Sequence, residues 1–166
     1  MIPNNITKAT YEDRVDLTKT DILCYDYPMS WESWGKVLMS PDAPVDCHVF
    51  RRHRNPLGFC VFMREPNDSN RLVVMKIGVL PSVRLTKIGT HLVDHCHNLA
   101  VSRKLDGFEI TVPEYWLDKE EDRGISTFAN KVGLLVDGIS SDYFFHYGRK
   151  YDGIRYISRK LTAVPA

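Results

Sequence analysis

Apolar positions recur along this chain with two different spacings, which separate predicted strands from predicted helices. A spacing of two residues, or a short continuous apolar run, predicts a strand, and spacings of three and four residues predict a helix. Strands are predicted at residues 6–9, 45–51, 57–64, 71–80 and 108–112. Helices are predicted at residues 31–39, 87–104 and 120–132, and residues 11–24 are interpreted as helical or loop material.

The end of the chain predicts a hairpin that closes the fold. Two aromatic runs between Tyr143 and Leu161 flank Tyr151-Asp152-Gly153, a sequence typical of a tight turn. The order of elements is then β-α-α-β-β-β-α-β-α-β-β, which predicts an α/β fold with a mixed central sheet, antiparallel in its N-terminal half. The helix between the strands at residues 71–80 and 108–112 predicts that these two strands are parallel neighbours.

Composition narrows the class of protein. With 166 residues, of which 43% are hydrophobic, the chain predicts one domain with a sizeable core. Lys+Arg 22 against Asp+Glu 21 gives a net charge of +1, which neither favours nor excludes a polyanionic partner. We find no apolar stretch long enough to span a membrane and no signal-peptide pattern. The cysteines are scattered without a C-x-x-C pair, so we expect a reduced, cytoplasmic protein.

The junction between the third predicted strand and the following helix carries candidate chemistry. The strand ends at Val79-Leu80-Pro81, and a loop with Arg84, Lys87 and Gly89 leads into the helix. A helix N-terminus has unpaired backbone N–H groups and a partial positive charge, so such a loop can hold a phosphate. The alternative is a plain strand-to-helix turn with a solvated arginine and lysine.

This junction resembles the acetyl-CoA-binding segment of the GCN5-related N-acetyltransferase (GNAT) superfamily. That segment runs from a strand through Val-x-Pro and Arg/Gln-x-x-Gly-x-Gly/Ala into a helix. Here the matching residues are Val79 to Pro81, Arg84 to Gly89, and Leu92. Lys87 departs from the pattern because it stands where the first glycine usually lies. Its side chain would either crowd the pyrophosphate or extend outward and leave the N–H group usable.

Three further stretches carry the resemblance along the chain. Residues 128–134, Phe-Ala-Asn-Lys-Val-Gly-Leu, resemble the family's helix that ends in Leu/Phe-Tyr-Glu-Lys-Leu-Gly-Phe. Residues 151–156, followed by Lys160 and Leu161, are similar to its final hairpin, and residues 27–31 resemble its acceptor wall. The resemblance implies a single acyltransferase-like domain over residues 1–166, in which the central parallel strands splay apart at their C-terminal ends.

The resemblance also implies which residues bind the donor, acetyl-CoA, with no metal involved. The main chain of one central strand would meet the pantetheine arm, and the loop N–H groups would hold the pyrophosphate. Gly78 can equally mark a bulge, and Thr90 can equally support the first helical turn. The strand residues are Ile77, Gly78 and Val79, and the loop residues are Arg84, Leu85, Thr86, Lys87, Ile88, Gly89 and Thr90.

Acetyl transfer from a thioester needs a base for the amine, a donor to the carbonyl oxygen and a proton for the thiolate. Glu109 and Glu114 bracket the fourth strand, and Glu114 is preferred as the base because it lies at the strand's C-terminal end. The alternative is that both are ordinary edge carboxylates. Ala129 stands where the family often has a tyrosine, so Tyr147, a neighbouring hairpin tyrosine or water would supply the proton. Packing is the alternative for these tyrosines.

For other polar and aromatic clusters, core packing or solvation is the alternative to a functional role. Four aromatic residues near the front of the chain are candidates for the acceptor pocket, or for the core: Tyr25, Tyr27, Trp31 and Trp34. His91 and His95 have a spacing that suits zinc, but no third ligand falls in register, and solvated helix histidines are the preferred interpretation. Residues 51–54, Arg-Arg-His-Arg, would form a basic turn, which favours solvation over a nucleic-acid contact.

The sequence therefore predicts an acetyl-CoA-dependent N-acetyltransferase that moves an acetyl group directly to an amine of a small molecule or a protein. One alternative is a catalytically silent binding or regulatory module of the same fold, suggested by Lys87 and Ala129. Another is a relative that uses a different acyl donor or a nucleobase acceptor. A membrane partner is not expected, nucleic acid is not favoured, and a homodimer is left open.

Overall fold

The computed structural model describes residues 5–84, 86–117 and 124–159. The order of its helices and strands matches the predicted order. The strands are β1 Ile6–Lys8, β2 Val45–Arg52, β3 Asn55–Met63, β4 Leu72–Val79, β5 Phe108–Pro113, β6 Leu135–His146 and β7 Arg149–Ile157. The helices are α1 Arg14–Cys24, α2 Trp31–Met39, α3 Ile88–Ser102 and α4 Ile125–Lys131.

The strands form a mixed sheet in the order β1-β2-β3-β4-β5-β7-β6. The pairs from β1 to β4 are antiparallel, β4 and β5 are parallel, and β7 pairs antiparallel with both β5 and β6. The mixed α/β fold is thus confirmed, with its antiparallel first half and its parallel central pair. The splay of that pair and the division into a single domain stay predictions.

Backbone contacts divide the chain into two compact units. The first consists of the residues up to Glu65 together with Val74–Asn98, and the second of Pro66–Val73 together with the residues after Asn98. Strand β4 and helix α3 therefore each contribute residues to both units. The candidate phosphate loop belongs to the first unit, and the candidate catalytic residues belong to the second.

In the first unit, helices cover both faces of the antiparallel strands. Phe59 of β3 meets Trp34 of α2 edge to face, with ring centroids 5.6 Å apart, and both side chains are fully buried. The preceding residue, Gly58, faces the opposite side, where a Cβ atom on it would come within 3.0 Å of the Ile88 side chain of α3. This alternation follows from the two-residue period of a strand and places α2 and α3 on opposite faces.

In the second unit, the predicted position of the hairpin turn is wrong. The turn lies at Tyr147-Gly148, where φ is 48° and 72°, and His146 pairs with Arg149 across it. Positive φ at both central residues is what the type I′ two-residue hairpin turn requires. Gly153 lies inside β7, where a Cβ atom would come within 2.4 Å of the Thr111 side chain. This glycine is needed for close packing and not for a turn.

Helix α4 ends as its sequence predicts, at a glycine. Val132 is its C-cap, and Gly133 follows with φ of 78°, a conformation that glycine adopts without steric cost. The predicted start of this helix, at residues 120–122, lies outside the described residues. Among the helices that the structure describes, none combines the length and the apolar character that a membrane span needs.

Candidate functional site

The loop between β4 and α3 presents backbone donors at the start of a helix. The first hydrogen bond of α3 runs from the N–H of His91 to the carbonyl of Lys87, at 3.0 Å. The N–H groups of Ile88, Gly89 and Thr90 come before this bond, in the first turn, where helix geometry provides no internal acceptor. The Thr86 hydroxyl donates to the carbonyl of Val83 and so braces the loop. Leu85, the remaining loop candidate, lies outside the described residues.

Lys87 takes the backbone conformation that its position demands. Its φ is 67°, in the left-handed region, whereas Gly89 is not among the residues with positive φ. The lysine side chain is exposed. The conformational demand of this loop therefore falls on residue 87, and a lysine meets it at a steric cost that glycine would not have.

Arg84, predicted to flank a phosphate, contacts the end of β4. Its Nε donates to the carbonyl of Val79 at 3.1 Å, and its Nη2 lies 3.6 Å from the Sγ of Cys24. The Cys24 thiol itself donates to the same carbonyl at 3.3 Å. Burial raises the pKa of Cys24, and the neighbouring guanidinium only partly offsets this. The thiol therefore stays protonated and serves as a hydrogen-bond donor.

One edge of β4 has its main chain paired with a tyrosine hydroxyl. The Tyr25 hydroxyl accepts the N–H of Ile77 at 2.9 Å and donates to the carbonyl of Ile77 at 3.0 Å. The N–H and the carbonyl of one residue point to the same side of a strand. Both groups of Ile77 therefore point toward the Tyr25 hydroxyl and away from β3. Strand alternation puts the N–H and carbonyl of Val79 on that same edge. The sequence predicted Tyr25 only as a residue of the acceptor pocket or of the core, and this contact with Ile77 was missed.

Gly78 is explained by close packing and not by a bulge. It pairs regularly with Phe59 of β3, and a Cβ atom on Gly78 would come within 2.5 Å of the Phe59 ring. The irregularity in the pairing lies earlier, where Val61 opposes Lys76 and Phe62 opposes Val74. Met75 is thus the extra residue on β4. A bulge increases the local twist of a strand, so it bends β4 before the candidate donor-binding segment.

A buried ion pair joins β4 to α1 beside this edge. The Nζ of Lys76 lies 2.8 Å from the Oδ1 of Asp21, and the two side chains are 8% and 0% exposed. Asp21 also accepts the N–H of Met29 at 2.7 Å and the indole N–H of Trp34 at 3.2 Å. Burial lowers the pKa of Lys76 below 10.5, against the opposing effect of Asp21. A lysine inside an apolar predicted strand was a signal for such a pair.

Of the candidate acceptor residues, Trp34 and Tyr25 are buried, and Tyr27 and Trp31 lie around the loop between α1 and α2. Tyr27 packs edge to face on Tyr25, at 5.2 Å between ring centroids, and its carbonyl accepts a hydrogen bond from Lys76. The ring of Trp31 lies under the Arg14 guanidinium, 3.8 Å from its central carbon, and is 43% exposed. Trp31 is therefore accessible from solvent, and Tyr27 is half-buried.

The candidate catalytic residues occupy different places in the second unit. Glu114 follows β5, begins a short 3₁₀ turn over Glu114–Leu117 and is exposed. Glu109 lies within β5, and its carboxylate accepts the side-chain N–H of Asn67 at 2.7 Å, which ties it to the turn before β4. Tyr147 is 90% exposed at the tip of the β6–β7 hairpin. Glu114 is thus accessible, whereas Glu109 has a structural partner.

His91 and His95 of α3 pack against other side chains, which corrects the interpretation that they are solvated. The Nε2 of His95 lies 2.7 Å from the Nδ1 of His48 on β2, and His91 stacks on Phe50 at 5.9 Å. His91 and His95 are both half-buried, and burial lowers the pKa of His95 below 6.5. No group of three or more metal-ligating side chains occurs in the part of the chain that the structure describes.

One arginine of the basic turn at residues 51–54 forms an ion pair. Arg51 donates to both carboxylate oxygens of Asp13, at 2.6 Å each, while Arg52, His53 and Arg54 are exposed. Burial acts to raise the pKa of Asp13, but the hydrogen bonds from Arg51 and Thr10 outweigh it and hold this pKa below 3.8. Arg51 therefore stabilises the packing of the N-terminal turn on β2.

Comparisons with solved structures agree with this architecture. The ribosomal-protein-S18-alanine N-acetyltransferase from Escherichia coli is similar, with a TM-score of 0.72, 12% identity, and coverage of 96% of this chain and 95% of that one. An IAA acetyltransferase from Bacillus cereus gives 0.64, 18%, 94% and 98% for the same quantities. The spermidine/spermine N-acetyltransferase from Vibrio cholerae gives 0.66, 14%, 92% and 89%. At these identities the likeness shows the fold alone.

The sequence itself decides the family. Among curated proteins nothing matches this chain significantly. The family model described as "Acetyltransferase (GNAT) family" matches residues 10–120, which run from the turn before α1 through β5 and include the loop between β4 and α3. The match spans well over half of the 166 residues, and the enzyme prediction is confirmed with it. The chain therefore belongs to the GNAT family of acetyltransferases.

Proposed function

We propose that this enzyme is an acetyl-CoA-dependent N-acetyltransferase that moves the acetyl group directly to an amine. The observation that carries the proposal is the junction of β4 and α3. Its loop keeps a left-handed residue at position 87, with φ of 67°, immediately before the first turn of a helix of 15 residues. That arrangement suits an anion such as a pyrophosphate, because several N–H donors and the helix dipole face it together.

The residues of the first unit fit the two ends of acetyl-CoA differently. The N–H groups of Ile88, Gly89 and Thr90 would hold the pyrophosphate, and the exposed Lys87 would add positive charge. The β4 edge at Ile77 and Val79 would meet the arm that carries the thioester. Acetyl-CoA supplies the acetyl group as that thioester. The N–H groups of the first turn of α3 have no acceptor within the helix and would suit an anion without rearrangement. The N–H and carbonyl of Ile77, by contrast, are already bonded to Tyr25.

The chemistry assigned to this chain is proton handling and carbonyl polarisation. Glu114 would accept the proton that the amine loses, and the Val79 N–H would donate to the carbonyl oxygen of the thioester. Tyr147 or water would supply the proton for the sulfur. Glu109 is the weaker candidate for the base, because its carboxylate is engaged with Asn67.

The acceptor is proposed as an amine of a small molecule or a protein. The similar structures include an enzyme named for a ribosomal-protein alanine and one named for spermidine and spermine, so the fold accommodates both classes. The exposed Trp31 and the half-buried Tyr27 would contribute to the acceptor pocket. A homodimer and a cytoplasmic location also stay proposals, the latter supported by four buried cysteines, none of which forms a disulfide.

The test combines calorimetric binding of acetyl-CoA with a thiol-release assay on a panel of amines. Wild type should bind acetyl-CoA and release thiol in the presence of at least one amine. Gly89→Trp should abolish binding, because an indole would fill the path of the phosphates. Asn98→Trp, at an exposed position about 13 Å further along α3, is the matched control and should bind normally.

The outcomes separate the alternatives. Binding without thiol release from any amine supports the silent module. Release of thiol from a different acyl-CoA, with none from acetyl-CoA, points to another donor. Heat that persists unchanged in Gly89→Trp rules out the loop as the donor site.

A further inference from the structure

Tyr25 occupies the main-chain groups of Ile77, one of the β4 residues that the proposed donor site would offer. Its hydroxyl both accepts from and donates to Ile77, at 2.9 and 3.0 Å. The side chain is buried, with the residue only 6% exposed. Burial also raises the pKa of Tyr25 far above 10, so the hydroxyl keeps its proton at physiological pH and can play both parts.

Tyr25 forms the same two hydrogen bonds with Ile77 that an amide-containing ligand would form. A residue on a strand edge presents one N–H and one carbonyl, and an extended ligand that adds to the edge satisfies them with an amide carbonyl and an amide N–H. A phenolic hydroxyl has one donor hydrogen and acceptor lone pairs, so it substitutes for both amide groups at once. Tyr25 and an amide of the pantetheine arm therefore cannot bond Ile77 at the same time.

We propose that the Tyr25 hydroxyl is a latch on Ile77 that the donor must displace before its pantetheine arm can bind along β4. The proposal rests on the proposed function, since it concerns the same donor site. It adds a closed state, in which the loop before α3 can accept a phosphate while the strand edge is blocked. Donor binding then has two parts, one for the nucleotide and one for the arm.

The Tyr25 side chain is packed against its neighbours, but the residue lies just beyond the last turn of α1. The residue follows α1 as its C-cap, with an extended backbone at φ −129° and ψ 136°. Its ring lies 4.6 Å from the Lys76 ammonium and 5.2 Å from the Tyr27 ring. The loop that leads to α2 begins here, so the side chain can leave Ile77 without breaking a turn of α1. The Tyr25 ring packs on the Lys76 ammonium, which the buried ion pair with Asp21 holds in place.

The test compares two ligands in one variant. Tyr25→Phe keeps the ring and removes the hydroxyl, which leaves the Ile77 groups unpaired in the free protein and available to a ligand. The affinity for CoA should rise about tenfold, the gain expected when the open fraction grows from about one tenth to nearly all molecules. The affinity for 3′-phosphoadenosine 5′-diphosphate, the nucleotide part of CoA without its arm, should not change.

Tyr156→Phe is the matched control, because Tyr156 is a buried tyrosine of β7, 5% exposed, that pairs with Ile110 and Val136. It should leave both affinities unchanged. A measurement on wild type guards against a variant that does not fold. Phosphopantetheine, which has amides but no ultraviolet-absorbing base, should alter the near-ultraviolet absorption of a buried tyrosine as it binds.

Each outcome bears on the latch. A tenfold gain for CoA alone supports it. Equal or weaker CoA binding in Tyr25→Phe overturns it and leaves the proposed function intact, as does an equal gain for both ligands. Phosphopantetheine that binds wild type with no change in tyrosine absorption also overturns it. Absence of CoA binding in wild type and in Tyr25→Phe alike overturns the proposed function and the latch together.

Discussion

Single residues of this protein adopt conformations that their side chains do not favour, and these positions cluster at turns and at the candidate site. Lys87 and Tyr147 both have positive φ, at 67° and 48°. For a residue with a Cβ atom this region costs about 1–2 kcal/mol relative to the right-handed one. In the hairpin, the cost is offset by the pairing on either side of Tyr147. At the loop before α3, residue 87 must turn the chain so that the following N–H groups start the helix.

Replacing Lys87 with glycine should therefore stabilise the protein. Relief of the left-handed strain outweighs the extra freedom of glycine in the unfolded chain, for a net gain of about 0.5–1 kcal/mol in the free energy of unfolding. Urea denaturation measures this change. Lys87→Ala, which removes the charge but keeps the Cβ atom, is the control and should show no such gain. Equal stabilities of the two variants would contradict the strain explanation.

Glu114 is the residue on which the proposed proton transfer depends most. Glu114→Gln keeps the shape of an exposed side chain and removes the charge that accepts a proton. Turnover of a true acceptor should fall about a hundredfold or more, while CoA affinity stays nearly unchanged. Tyr147→Phe should cost less if water protonates the sulfur. Equal activity of wild type and Glu114→Gln across a pH series would clear Glu114 of this role, and a larger loss in Tyr147→Phe would assign the hairpin tyrosine a part in catalysis.

At the scale of elements, the sequence predicts what is local and misses what packing decides. The loop before α3 could be recognised because its residues are contiguous. The pairing of Lys76 with Asp21 could not, since the two are 55 residues apart and meet only when α1 packs on β4. The turn of the last hairpin was misplaced because Tyr-Asp-Gly has turn composition, whereas the turn lies at Tyr147-Gly148. Gly153 serves the packing of β7 on β5 instead.

The buried ion pair predicts a specific pattern of energies between α1 and β4. Lys76→Met alone leaves the Asp21 carboxylate buried without its cation, which should cost about 3–5 kcal/mol of stability. Adding Asp21→Asn removes the unpaired charge and keeps an acceptor for the N–H of Met29, so the double variant should be more stable than Lys76→Met. Chemical denaturation of the two single variants and the double variant measures this coupling. Simple additivity of the two losses would show that the charges do not interact.

At the scale of the whole molecule, the order of elements is encoded more plainly than their arrangement in the sheet. Each helix and strand has its own periodicity, so the order could be read along the chain. The last three strands lie in the order β5-β7-β6, with β7 between its two partners. A hairpin's own sequence does not state which of its strands will pair with β5, because that choice depends on contacts with residues far away in sequence. The assignment of a donor site to the loop before α3 rests in the same way on a resemblance as well as on local chemistry.

A ligand that binds only the folded state should raise the melting temperature of the whole protein. At a concentration one hundred times its dissociation constant, acetyl-CoA should add about 2.7 kcal/mol to the free energy of unfolding. For a chain of this size that corresponds to a rise of about 5–10 °C, because 1 kcal/mol shifts the transition by about 2–4 °C. The rise should continue with the logarithm of concentration, and Gly89→Trp should show none of it. Absence of any rise for wild type at millimolar acetyl-CoA would contradict donor binding and favour the silent module. A rise retained in Gly89→Trp would move the donor site away from the first turn of α3.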